Sequence, residues 1–192
     1  MRHNAAAVLF IVLTILTAHL ASTPPYSWHD NTISELGSQG YENAWIMRAG
    51  FIGFGALVAA GAVQRTRVQR KFWYRELPLV LYGGGILLSG VFSAKPFVPG
   101  VDYSELEANL HSALATSAGV GISMSILLYM FGETQVRRKF GHLAALVLVV
   151  ALSALFGLSG TGAGIVQRGL YVVGFGWLIF IETGATVGES KA

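Results

Sequence analysis

Cysteine is absent from this chain, which excludes disulfides and thiolate metal sites and says nothing about compartment. Charge is also scarce: Asp, Glu, Lys and Arg make up 12% of the residues. A soluble domain usually carries about a quarter, so this chain cannot coat a globule with charge. No segment alternates apolar and polar residues, which excludes a membrane β-barrel. Neither HExxH nor HxxxH spacing occurs, so no metal site is expected, and no cofactor is implied. The net charge of +3 is small, and its basic residues cluster where a membrane protein needs them, which argues against a nucleic-acid partner.

Apolar residues are plentiful, at 53%, and they fall into six long blocks near residues 5–22, 44–64, 77–95, 109–131, 142–160 and 166–185. Each block is about long enough for a bilayer core of roughly 30 Å. Backbone groups in lipid must be bonded within the segment, so the blocks predict helices. The fold class expected is all-α: one membrane domain over residues 1–192, six transmembrane helices in one bundle. The first block is expected to be retained as a helix, because Ala18-His19-Leu20 and His19-Leu20-Ala21 spoil a signal-peptidase site.

Lysine and arginine predict the orientation. Arg65, Arg67, Arg70, Lys71 and Arg75 follow the second block, and Arg137, Arg138 and Lys139 follow the fourth. Arg2 and Lys191 mark the ends of the chain on the same side. The other side has only Arg48, Lys95 and Arg168. The positive-inside rule then puts both termini in the cytoplasm of a cell-membrane protein, with Trp73 and Tyr74 in the interfacial belt. The basic connections read as topology signals that touch anionic lipid. Ala113, Ser117, Gly121 and Ser125 predict a small-residue packing stripe in the fourth helix, and Gly53, Leu57 and Gly61 a looser one in the second. The glycines of "YGGGILLSG" and "GLSGTGAG" predict close contacts or bends.

The remaining polar residues gather on the outer side. They are His19, the stretch "HDNTISELGSQG" with His29, Asp30, Asn31, Thr32, Ser34 and Glu35, then Arg48, Lys95, Asp102, Glu105, Glu107, His111, Gln167 and Arg168. On the inner side only Glu182 is comparable outside the basic connections. Ionisable groups at such depths pair or face a cavity, so a polar extracytoplasmic pocket is expected. "SELE" reads as a capping box, with Ser104 as N-cap and Glu107 bonding back to it. Glu107 and His111 share a helix face. "TISE" is a second box, cut short by Gly37 and Gly40. It predicts a small amphipathic lid helix, Ile33 and Leu36 on one face, within a folded segment 26–43.

"YSWHDNTISELGSQGYENAWIMRAGFIGFG", "SGVFSAKPF", "ELEANLHSALA" and "GIVQRGLYVVGFGWLIF" resemble the family known as domain of unknown function 998. The resemblance covers nearly the whole chain and implies a small archaeal or bacterial protein with six membrane helices. It departs at "SAKPF", where the family pattern has a run like Phe-Pro-Asp, so Lys95 is not carried over as a family feature. "ISELG" has a lesser likeness to a eukaryotic family of autophagy-modulating, lipid-remodelling membrane proteins. The resemblance implies a topology and no reaction.

Three functions fit these residues. The favoured one is binding of a membrane-lipid headgroup or a small anionic ligand by His19, His29, Asp30, Asn31, Arg48, Asp102, Glu107, Gln167 and Arg168, with Lys95 beside them, because arginine forks suit phosphate. The second is an intramembrane lipid-processing enzyme, with His111 as general base, Glu35 or Glu107 orienting it, and Ser34 as nucleophile. The third is a buried ion-pair network of Glu35, Arg48, His111 and Arg168 with no ligand.

Overall fold

The computed structural model describes residues 3–68 and 73–189, with side chains described as far as Thr183. Arg2, Arg70, Lys71 and Lys191, used above for orientation, lie outside the described residues. Six helices are present: α1 (His3–Leu20), α2 (Ala44–Val68), α3 (Trp73–Val91), α4 (Glu105–Gly132), α5 (Val136–Leu158) and α6 (Ala163–Glu189). The described residues contain no strand. Each helix overlaps one of the six apolar blocks. Five of them, all but α3, are long and apolar enough to cross a membrane. α3 falls short because its first turn holds Arg75 and Glu76.

Each helix packs on its sequence neighbours, and α6 returns to α1, so the chain closes a ring. The ring is filled, not hollow. Phe54 of α2 lies 5.4 Å from Phe175 of α6 and 6.0 Å from Tyr82 of α3, ring centre to ring centre. Ile122, Ile126 and Leu178 complete this centre, all buried. α5 is the outlier: among its described residues only His142 and Val149 are buried.

α3 is clamped between α2 and α4 by glycine. A Cβ on Gly55 would lie 2.4 Å from the Gly83 carbonyl oxygen, and one on Gly83 would lie 2.7 Å from the Gly55 carbonyl. Two backbones meet where no side chain fits, which is how helices gain contact in lipid without a hydrophobic force between them. The α4 stripe is shifted from the expected one. Ala113 is exposed, and the face turned to α3 carries Leu114, Ala118 and Gly121 against Gly85, Pro78 and Tyr82. Gly121 and Ser125 are buried as expected. A four-residue period drifts around a 3.6-residue helix, so a strict i, i+4 stripe leaves one face within about three turns. In α2, Gly53 and Gly61 do face α1, at Phe10 and His3, but Leu57 is 39% exposed.

Two ends follow from this topology. The basic end gathers the starts of α1, α3 and α5 with the finishes of α2, α4 and α6. The loop end gathers residues 21–43, 92–104 and 159–162.

Candidate functional site

At the loop end the chain leaves α1 and folds back over the bundle. Tyr41 Oη accepts from the Thr23 backbone N–H at 2.8 Å and donates to the Thr23 carbonyl at 2.9 Å, pinning the segment's two ends. The "TISE" box is formed. Thr32 Oγ1 accepts from the Glu35 N–H at 3.2 Å, and the Glu35 carboxylate accepts from the Thr32 N–H at 2.5 Å and from its hydroxyl at 3.0 Å. The box starts a single 3-10 turn, Ser34–Gly37. Ile33 and Leu36 are buried beneath it at 2% and 1% exposure, which holds the turn on the bundle.

The preceding residues serve the start of α6. A helix start leaves backbone N–H groups without partners. Here the Gly164 N–H donates to the Asp30 carbonyl and the Ile165 N–H to the His29 carbonyl, both at 3.1 Å. The Gly162 N–H donates to Asp30 Oδ1 at 2.9 Å. Hydrogen bonds from His29 and from the Gly162 N–H hold the Asp30 carboxyl below the ordinary carboxylate range, and a negative group here also complements the helix dipole. The His29–Asp30 pair is about half exposed, at 54% and 50%, so its ionic part is worth little. The close approach needs a glycine: a Cβ on Gly164 would lie 2.4 Å from the Asn31 oxygen and 2.7 Å from those of His29 and Trp28.

Gln167 and Arg168 lock the same segment. Gln167 Oε1 accepts from the Ile33 N–H at 2.6 Å, and its amide donates to Ser34 Oγ at 3.4 Å. Arg168 donates to the Asn31 carbonyl at 3.0 Å, to its own helix at Gly164 and to Tyr26 Oη at 2.7 Å. Asn31 Oδ1 accepts from the Ser27 N–H at 2.8 Å. Burial pushes the Tyr26 phenol up, and the Arg168 guanidinium opposes it. His19 meets Tyr26 edge-on at 5.5 Å.

The finish of α3 is capped by two other candidates. Arg48 donates to the Gly90 carbonyl at 3.3 Å and the Val91 carbonyl at 2.9 Å. His111, 6% exposed, places Nδ1 2.7 Å from the Ser89 carbonyl and 2.9 Å from that of Phe92. Both neighbours are acceptors, so Nδ1 carries the proton. Four successive carbonyls at a helix finish, which would otherwise lack partners, are thus taken by two side chains. Replacing Arg48 with methionine removes both of its bonds, one exposed and one part-buried, and is expected to cost about 1 kcal/mol, read from denaturant titration in mixed micelles.

The "SELE" box is only half formed. Ser104 Oγ accepts from the Glu107 N–H at 3.3 Å. Glu107 does not reach back: its carboxylate accepts from the Ser93 N–H at 2.7 Å. The Ser104 N–H goes to Gln39 Oε1 at 2.8 Å, and Gln39 also donates to the Ser104 carbonyl, tying the two connections together. A better-placed tertiary partner displaced the local one.

The structure therefore does not assemble the expected constellations. Among the described residues no ion pair joins any two of Glu35, Arg48, His111 and Arg168. No hydrogen bond joins His111 to Ser34, Glu35 or Glu107 there either. These side chains are committed to helix ends instead. Asp102 stays exposed. A depression of about 250 Å³ lies to one side, lined by Lys95, Tyr103, Glu105, Ala108 and Asn109. The Lys95 ammonium sits 5.5 Å from the Tyr103 ring centre and has no hydrogen-bonded acceptor among the described residues.

The densest charged cluster is at the basic end, which sequence reasoning passed over as topology signal. Glu76, 4% exposed, receives Arg65 Nε on Oε2 at 2.9 Å and the Tyr129 hydroxyl on Oε1. Arg65 also donates to Asn4 Oδ1 at 3.3 Å. Glu182 accepts from the Asn4 N–H at 2.5 Å and the Ala5 N–H at 3.1 Å, so a carboxylate of α6 caps the start of α1. Glu182 is thus not the sole acid of interest at that end. One chain of polar contacts runs α6–α1–α2–α3–α4. Beside it, Trp177 donates its indole N–H to Nδ1 of the buried His142 at 3.0 Å. The signal that could have found the cluster is Glu76 itself, an acid inside an otherwise basic stretch.

No curated protein and no solved structure matches the chain. With its six-helix, membrane-type architecture in place, the match over residues 5–182 is decisive: the chain belongs to the family described as Protein of unknown function (DUF998).

Proposed function

We propose that this chain is a six-span membrane protein, both termini cytoplasmic, that binds a lipid headgroup at its extracytoplasmic loop end beside Lys95. One observation carries this. Of the three cations at that end, Arg48 and Arg168 have spent donors on carbonyls and on Tyr26 Oη, whereas the Lys95 ammonium has no acceptor among the described residues. It borders a depression where Glu105 and Asn109 supply further polar contacts. Lys95 would meet the phosphate, and Glu105 and Asn109 the polar group esterified to it. The segment 26–43 is then a fixed cap rather than a moving lid.

The sixth span is α3. Its 19 residues reach about 28 Å, and its buried acid is matched by Arg65. Orientation rests on Arg65, Arg67, Arg75, Arg137, Arg138 and Lys139 at one end against Arg48, Lys95 and Arg168 at the other. A small anionic ligand at Lys95 is the same chemistry without acyl chains. No reaction is assigned: Ser34 Oγ accepts from Gln167, and His111 Nδ1 faces two carbonyls.

The test is a lipid titration of the delipidated full-length protein, with bound phospholipid counted by native mass spectrometry. Lys95→Gln is expected to weaken one binding event roughly tenfold, the scale of one hydrogen bond to a charged group. Unchanged binding in Lys95→Gln, with loss in Arg168→Gln, would move the site to the cap and overturn the assignment.

A further inference from the structure

The first turn of α5 shows three chemistries on three faces. Val136 and Phe140 are four residues apart, share one face, and are 68% and 66% exposed. Arg138 points the opposite way, into the bundle. Its Nε donates to Glu133 at 2.9 Å and its Nη2 to the Phe180 carbonyl at 3.1 Å, and its guanidinium lies 4.4 Å from the Phe180 ring centre. At about 100° per residue, Arg137 and Lys139 fall on either side of the apolar face. Both are exposed, and neither is in an ion pair among the described residues.

The acid that could have neutralised them is occupied. Glu133, the one carboxylate of the α4–α5 connection, accepts from the Thr134 N–H at 2.9 Å, the Gln135 N–H at 3.0 Å and Arg138. The exposed face of this turn is therefore apolar with a cation on each flank. Arg75, at the start of α3, donates to the Gly132 carbonyl at 3.2 Å, so α3 begins level with this turn. There Trp73 and Tyr74 are 55% and 41% exposed, the residues and exposure of a membrane–water interface.

We propose that the start of α5 is a binding site for an anionic phospholipid of the leaflet that meets the basic end, with Arg137 and Lys139 holding the headgroup and Val136 and Phe140 lying against the acyl chains. An apolar face flanked by cations matches a lipid that is charged at the interface and apolar below it. A soluble anion would use the cations and leave Val136 and Phe140 in water. The site is separate from the one beside Lys95, at the opposite end of the bundle.

The test titrates full-length protein carrying Lys95→Gln, so that the site beside Lys95 is weakened and changes read here belong to this one, with phosphatidylglycerol and separately with phosphatidylcholine. Arg137→Gln and Lys139→Gln are each expected to weaken phosphatidylglycerol binding roughly fivefold, in line with one cation near a charged surface. Phosphatidylcholine binding stays unchanged. Phe140→Ser weakens both lipids. Neither cation has a bonded partner among the described residues, so these variants are expected to fold. Two results overturn the proposal: a double Arg137→Gln/Lys139→Gln variant that keeps the phosphatidylglycerol preference, or inorganic phosphate that binds alone with the same dependence on the two cations.

Discussion

Replacing Glu76 with alanine is expected to cost about 3–5 kcal/mol of stability, because it leaves a largely buried guanidinium without its carboxylate. Glu76 is 5% exposed at its side chain and Arg65 22%. The pair is linked onward to Asn4 and to Tyr129, so the loss also loosens α1 and α4 from the α2–α3 pair. Buried pairs are costly to break yet easy to replace, since desolvation offsets much of their attraction. The double change Arg65→Met with Glu76→Leu should therefore recover most of what Glu76→Ala loses. Denaturant titration in mixed micelles reads both. A loss below about 1 kcal/mol for Glu76→Ala would mean that the pair behaves as a solvated surface bridge.

Introducing leucine at Gly164 is expected to cost about 3 kcal/mol, the upper part of the overpacking range. The new side chain would point into three backbone oxygens, those of Trp28, His29 and Asn31. Backbone cannot move aside as a flexible side chain can, so the segment must lift. The Gly162, residue-164 and Ile165 amides then lose their carbonyl and carboxylate partners. Their hydrogen exchange should accelerate together, along with that of Ile33, whose N–H is held by Gln167. Gly160 is the control: nothing lies within 4 Å of a Cβ there, so Gly160→Ala should change neither reading.

The helices were legible because spanning segments must be apolar and continuous, and composition alone shows that. Their ends were legible only where a local signal marked them. Ser104 placed the start of α4 at Glu105, four residues before the apolar block suggests. Nothing local announces that Arg75 and Glu76 are helical, since they look like loop until Arg65 and Tyr129 are brought beside Glu76. The "TISE" turn was legible because both ends of its box lie within four residues and both close. The contacts of Arg48 and His111 were not legible because their partners are backbone groups. Carbonyls of Ser89, Gly90, Val91 and Phe92 have no side-chain identity, so no residue pattern could show that Arg48 and His111 were destined for them. Likewise, nothing in the sequence shows that Asp30 meets the Gly162 N–H before α6. "HDNTISELGSQG" is docked on the bundle: Asp30 meets the start of α6, Thr32 and Glu35 hold the turn, and Gln39 ties it to Ser104.

The most direct measurement is an experimental structure of the full-length protein in native-lipid nanodiscs, read at the loop end. The expected result is headgroup density within hydrogen-bond reach of Lys95 Nζ, with Arg48 and His111 still on the α3 carbonyls and Arg168 still on Asn31 and Tyr26. A headgroup bonded instead to Arg48 or Arg168, with residues 26–43 displaced from α6, would contradict it.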